Sequence, residues 1–414
     1  MSRTRPSNDR RSFVEVCNEL DRRRHITLGL ERITALLKLL GDPQRSLRIV
    51  QVVGTNGKGT TAVSLAAALE ATGFTSGAYL SPHVLSYTER VMLRGTYVSE
   101  ERFAAAIGKA IAVADANGVP ASQFELLTAG ALGLFAEEGL SWGLLEAGLG
   151  ARHDATTAAA PEAVVLTNVG LDHTEYLGET VEEISHEKLA SLAPNAVLIL
   201  GTDDPRVAEV ARQRCKEIDA CLVEAGAGPP LPAGLPPYVA RDVRLGLRSA
   251  EVLLDRTLTA AERERVVRGI PGALPGRFEA FEVRGVPVVV DGAHNPAGVE
   301  AALEAVSSLY GERPLGIVFG VLRDKDVGSM LTGLRKQARA LVLTRPEGEG
   351  AADPAHLMRE HGPRDREGRR ARVEADIVRA VEEVAEEIRA HSGVVLVTGS
   401  LRTAAPVLRW LHER

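Results

Sequence analysis

Apolar residues recur at helical spacing over residues 28–40, and Gly41-Asp42-Pro43 ends that run. A short β-rich run, 48–53, follows and stops at Gly54; after a glycine-rich loop, 61–70 reads as an Ala- and Leu-rich helix. The alternation continues. Strands are predicted at 76–80, 142–146, 163–167 and 196–200, with helices at 100–116, 125–138 and 182–191. Continuous apolar strands alternating with helices imply a mostly parallel sheet covered on both faces, so the fold class is α/β.

The stretch 225–237, dense in Gly and Pro, reads as a loop inside the first domain. A second such stretch, 269–276, makes the better boundary, giving domains of 1–272 and 273–414. Beyond it, 278–283 and 286–291 flank Arg284-Gly285 as a hairpin. A second α/β series has strands near 315–319, 340–343 and 394–398, and 347–372 reads as a polar surface excursion.

Composition narrows the function. The chain has 414 residues, 45% hydrophobic and 25% charged, with a formal net charge of −6. That balance argues against a broad nucleic-acid surface. The basic start (Arg3, Arg5, Arg10, Arg11) lacks the apolar stretch of a signal peptide and reads as a solvated, partly disordered segment. No apolar run reaches bilayer length, and Cys17, Cys215 and Cys221 lack metal-ligand spacing. The expectation is a cytoplasmic, soluble protein with reduced thiols and with neither membrane nor nucleic-acid partners.

The strongest chemical signal is Gly54-Thr55-Asn56-Gly57-Lys58-Gly59-Thr60-Thr61, between a strand and a helix. Glycines let backbone N–H groups approach phosphate oxygens, and a helix N-terminus favours anions. Lys58 supplies charge for the β/γ-phosphates and Thr60 a hydroxyl for Mg²⁺. The loop is shorter than the usual G-x-x-x-x-G-K-[ST] pattern, and the bland alternative is a glycine-rich turn with an exposed lysine. Ser81-Pro82-His83, Glu146, and Asp172-His173 each follow an apolar strand, where ligands collect in open α/β sheets. A hydroxyl and a carboxylate suit Mg²⁺, whereas His173 as a ligand would be unusual; each residue alone also fits a structural role. Lys188, by itself, reads as a surface lysine. Asn295 reads as the cap of a helix starting at Pro296, which leaves Asp291 and His294 unexplained. Arg277 sits at the proposed hinge, where it reaches nucleotide phosphates or forms an ion pair.

Taken in order, the 54–60 loop, Ser81-Pro82-His83, Glu89-Arg90, Phe124-Glu125, Glu146-Ala147-Gly148-Leu149-Gly150, Leu171-Asp172-His173, Pro275-Gly276-Arg277-Phe278-Glu279 and Asp291-Gly292-Ala293-His294-Asn295-Pro296 resemble the folylpolyglutamate/dihydrofolate synthase family, a branch of the Mur ligase superfamily. Gly320, Asp324-Lys325-Asp326 and Val397-Thr398-Gly399-Ser400-Leu401 extend the resemblance to the C-terminus. It implies a phosphate-loop domain followed by a smaller Rossmann-like one. It implies an ATP-dependent ligase that phosphorylates a carboxylate of dihydropteroate or a reduced folate and joins it to L-glutamate.

The resemblance also implies roles. Gly54 to Thr61, Arg277, Asp291 and His294 bind ATP; Thr60, Ser81, Glu146, His173 and a carbamylated Lys188 surround one or two Mg²⁺ ions. Lys58, His173 and Lys188 are catalytic, and Pro82, His83, Glu89, Arg90 and Phe124 contact the acceptor, with 84–95 as a mobile loop. A monomer is expected. The family's Gly-Gly-Arg-Leu-Asp-Ala-Thr-Asn is here Gly150-Ala151-Arg152-His153-Asp154-Ala155-Thr156-Thr157, and Leu274 stands where Trp is common. Two rivals remain: a superfamily ligase acting on a non-folate carboxylate, and a nucleotide-binding switch without ligase activity.

Overall fold

The computed structural model describes residues 11–25, 27–362 and 371–414. Two compact units divide it. One holds residues 1–230 and 242–266 and the other 231–241 and 267–414. The division falls at 266/267, a few residues before the expected 272/273. It also places 231–241, expected inside the first domain, with the second.

The first unit contains β1 (Arg48–Val53), β2 (Ser76–Tyr79), β3 (Val91–Leu93), β4 (Thr96–Tyr97), β5 (Trp142–Glu146), β6 (Ala163–Leu166), β7 (Val197–Leu200) and β8 (Cys221–Glu224). They form one sheet in the order β4-β3-β2-β5-β1-β6-β7-β8. Strands β2 to β8 in that order run parallel, and β3 and β4 extend the edge antiparallel. Every residue of β2, β5 and β6 is buried, as in a sheet covered on both faces. Helices Phe13–Arg22, Glu31–Leu39, Glu100–Ala116 and Gln123–Glu137 contribute to the core on one side. Helices Val181–Lys188 and Pro205–Ile218 share a second core with Val53, Leu166 and Leu198.

Capping sets several of these starts. The helix expected from 125 begins at Gln123, because Ser122 caps it and Glu125 completes the capping box. The expected solvated start lies in residues 1–10, outside the described residues. Directly after it, Ser12 and Glu15 form another capping box and open an unexpected helix.

The second unit contains β9 (Glu279–Val283), β10 (Val286–Val290), β11 (Leu315–Phe319), β12 (Ala338–Leu343), β13 (Ala371–Val373) and β14 (Val394–Thr398), in the order β13-β12-β11-β14-β10-β9. All neighbours are parallel except the predicted β9–β10 hairpin. The expected polar excursion contains a helix, Pro354–His361, capped by Asp353; its residues 363–370 lie outside the described residues.

Candidate active site

β1 lies at the centre of its sheet between β5 and β6, and the glycine-rich loop leaves its carboxyl end. Two positions there exclude side chains. Gly54 has φ 147°, and a Cβ on it would come within 1.9 Å of Thr167 Oγ1. Gly57 has φ 82° and caps the helix Lys58–Ala71, and a Cβ there would lie 2.4 Å from Asp242 Oδ2. The helix thus begins at Lys58 rather than the expected 61. Lys58, Gly59 and Thr60 open it, where main-chain N–H groups lack i−4 helical acceptors, and Thr61 N–H makes the first helical bond, to Gly57 O at 3.0 Å.

The loop after β6 braces this turn. Thr55 N–H donates to Asn168 O at 2.9 Å, and Asn56 N–H donates to Asn168 Oδ1 at 3.1 Å. Thr167 Oγ1 and Asn168 Nδ2 both donate to Asn56 O, at 2.7 and 2.9 Å. Thr55 Oγ1 donates to Gly170 O at 3.2 Å and accepts from Gly170 N–H at 3.0 Å.

Two lysines converge on one carbonyl. Lys58 Nζ donates to Gly54 O and Thr55 O, both at 3.1 Å, and Lys188 Nζ donates to Gly54 O at 2.9 Å. Lys188 is 5% exposed, which removes the surface-lysine reading. Burial, helped by the nearby Lys58 charge, pushes its pKa down to about 7; Asp172 and Asp154 pull the other way.

Glu146 ends β5 and is buried; its Oε2 accepts from Ser81 N–H at 2.8 Å, which ties the ends of β5 and β2 together. Asp172 Oδ1 accepts from His173 N–H at 3.0 Å and lies 4.0 Å from His173 Nε2. His173 itself is exposed and has φ 52°. Among the described residues no three His, Cys, Asp or Glu side chains cluster as a metal cage. The local donors are instead hydroxyls and a carboxylate. Such hard oxygen donors suit Mg²⁺, which takes few protein ligands and fills the rest with water and phosphate.

Beyond Ser81, Pro82 is exposed and the chain folds over itself. The Glu89 carboxylate accepts from the N–H groups of Val84, Leu85 and Ser86 at 2.7, 2.8 and 2.7 Å. Arg90 Nε donates to His83 Nδ1 at 2.8 Å. Burial first, then the Arg90 charge, holds His83 down at about 3, so its ring is neutral. Tyr87 stacks beside that ring at 4.2 Å, donates to Asp21 Oδ1 and accepts from Gln123 Nε2, both at 2.6 Å. Phe124 lies 5.6 Å from Tyr79, and a Cβ on Gly148 would touch its ring at 2.9 Å.

In the second unit Asp291 follows β10 and is 4% exposed. Its carboxylate accepts from Phe278 N–H at 3.0 Å, Ala293 N–H at 2.9 Å and the Tyr238 hydroxyl. Burial raises its pKa, while Tyr238 and then Arg277 pull it back. His294 Nδ1 lies 3.0 Å from Gly292 O, and Asn295 Oδ1 caps the next helix by accepting from Gly298 N–H at 2.8 Å. Arg277 Nη1 donates to Gly276 O at 3.4 Å.

A family model described as the Mur ligase middle domain matches residues 52–227, and one described as the Mur ligase, glutamate ligase domain matches 276–401. The dihydrofolate synthase/folylpolyglutamate synthase of Mycobacterium tuberculosis is 30% identical, with 95% of this chain and 92% of the relative covered. This chain belongs to the dihydrofolate synthase/folylpolyglutamate synthase family. A folylpolyglutamate synthase structure from M. tuberculosis, complexed with ADP and AMPPCP, superposes with a TM-score of 0.86 at 27% identity, covering 96% of this chain and 98% of that one. A bifunctional folylpolyglutamate synthase/dihydrofolate synthase with Mn, AMPPNP and L-glutamate bound gives 0.82 at 28% identity, covering 97% and 98%.

Asp154, from the stretch that departs from the family pattern, and Gln51, which carries no motif signal, brace the site. Asp154 is buried and accepts from the N–H groups of Gly148 and Leu149 at 2.8 and 3.0 Å and from the Thr156 hydroxyl. Gln51 on β1 donates to Thr156 Oγ1 at 2.7 Å and Thr157 Oγ1 at 3.0 Å. In the first unit of this ligase, these bonds fix the turn after Glu146. A buried Gln in a strand of Val and Ile was the available clue.

Proposed function

We propose that the chain is an ATP-dependent ligase adding L-glutamate to dihydropteroate, to reduced folates, or to both in turn. The observation that carries this reading is the convergence of Lys58 and Lys188 on the Gly54 carbonyl, at the N-terminus of the Lys58–Ala71 helix. Cations and open N–H groups collected there receive a polyphosphate. The Mn, AMPPNP and L-glutamate complex of a relative supports the same assignment.

In this reading the acceptor carboxylate oxygen attacks the γ-phosphorus, ADP leaves, and an acyl phosphate forms. The glutamate amine then attacks the acyl carbon, loses a proton and expels phosphate, leaving an amide. Positioning and charge neutralisation carry most of such a reaction. Gly54 to Thr61 cradle the phosphates and Lys58 offsets their developing charge. Arg277, Asp291 and His294 serve the nucleotide. Thr60, Ser81, Glu146 and His173 hold Mg²⁺, which when bound neutralises phosphate oxygens. Carbamylation of Lys188 would supply an oxygen donor for a second ion, and an amine depressed to about 7 is largely uncharged at mildly alkaline pH, as carbamate formation needs. Pro82, His83 and Phe124 face the acceptor, with Glu89 and Arg90 holding their loop. The enzyme acts as a cytoplasmic monomer; among the described residues no helix is long and apolar enough to cross a membrane.

The test incubates the chain with ATP, Mg²⁺ and L-glutamate, adding dihydropteroate or a tetrahydrofolate, and reads products by mass. One glutamate on dihydropteroate, or further glutamates on the folate, is expected. No glutamylated product from either would overturn the acceptor assignment and point to another carboxylate.

A further inference from the structure

One buried carboxylate in the second unit holds three stretches of chain. Asp291 Oδ1 accepts from Ala293 N–H at 2.9 Å, and Oδ2 accepts from Phe278 N–H at 3.0 Å and from the Tyr238 hydroxyl. The first donor belongs to the turn that carries His294. The second belongs to the residue after Arg277, held at φ 52°. A Cβ on Gly292 would lie 3.0 Å from Arg277 Nη1, so the two turns sit back to back. Their relative placement depends on where the Asp291 carboxylate rests.

Tyr238 is the side-chain donor of the three, and it arrives from 53 residues earlier in the chain. Its ring meets Phe278 edge-on, with centroids 6.5 Å apart and planes at 69°. It therefore fixes the carboxylate through its hydroxyl and the neighbouring turn through its ring. Neither main-chain donor can do this, because both move with the turns they belong to. A buried carboxylate short of a donor is costly and reorients towards another.

We propose that Tyr238 is a positioning residue for nucleotide binding, whose hydroxyl sets the Asp291 carboxylate and through it the Arg277 and His294 turns. This rests on reading Arg277, Asp291 and His294 as nucleotide residues. Tyr238→Phe removes one oxygen and keeps the ring against Phe278.

The full chain is tested by calorimetric titration with ADP and ATP, and by steady-state kinetics in each substrate. Tyr238→Phe is expected to weaken nucleotide binding and raise the KM for ATP about tenfold, the usual scale of a hydrogen bond to a buried charge. The KM values for glutamate and acceptor, and kcat, should stay within about twofold. In an Asp291→Asn background the same change should add little, because the partner it acts through is already altered. Unchanged nucleotide affinity would overturn the proposal. So would a joint rise of all three KM values with a lowered melting point, or fully additive losses in the double variant. Nucleotide affinity is read directly, so failure of the wild type to make glutamylated product would sink the acceptor assignment alone.

Discussion

Lys58 and Lys188 share the Gly54 carbonyl as an acceptor. In the proposed reading, a polyphosphate bound at this turn would draw Lys58 off the carbonyl, so loss of Lys58 would remove charge where charge develops. Lys58→Ala should lower ligation by about two orders of magnitude or more, with an unchanged circular dichroism spectrum. Wild-type turnover would remove the loop from the mechanism. Lys188 makes a different prediction. Its folded pKa, about 7, lies below the ordinary lysine value. The unfolded chain therefore binds the extra proton between those values, and stability rises with pH across that window. The cost of burying Lys188 is full below about pH 7 and fades above it. Lys188→Met should raise the melting point more at about pH 6 than at about pH 10, while abolishing ligation. An equal fall at both would mean that the bond to Gly54 outweighs desolvation.

Elements show why some of this was legible and some was not. The helix Glu100–Ala116 and the strand Trp142–Glu146 have the predicted bounds, because capping and burial there act on neighbours in sequence. Helix Lys58–Ala71 was expected three residues late. Its cap is a left-handed glycine, and Lys58-Gly59 resembles loop until Gly57 is seen packed on Asp242. Strands β3 and β4 and the partly exposed edge strand β8 are too short or too polar to give a pattern. Helix Phe13–Arg22 was missed although Ser12 and Glu15 spell a capping box. Site motifs were readable where their residues are adjacent in sequence. The Asp21–Tyr87–Gln123 bonds were not, since their partners lie far apart along the chain. The three N–H groups on Glu89 give a prediction at this scale: Glu89→Ala leaves residues 84–86 without their shared acceptor. The acceptor KM should rise about tenfold while the KM for ATP stays put. A rise in both would mean that the loop serves nucleotide as well.

For the molecule as a whole, ligand linkage offers a readout that needs no acceptor. Mg²⁺·ADP at about a hundred times its dissociation constant should stabilise the folded chain by about 2.7 kcal/mol and raise its melting point by several degrees. The Lys58→Ala chain should show little of that rise, and a full shift there would place nucleotide elsewhere. The position of β1 between β5 and β6 has a further consequence. Asn56 O takes hydrogen bonds from Thr167 and Asn168, and Thr55 exchanges two with Gly170. The eight-residue stretch from Gly54 to Thr61 is therefore not a portable part. A protein engineer wishing to graft this loop, with its proposed grip on nucleotide, onto another scaffold would have to carry over two adjacent parallel strands with both of their exit loops, and a host sheet offering only one would receive the letters without the shape.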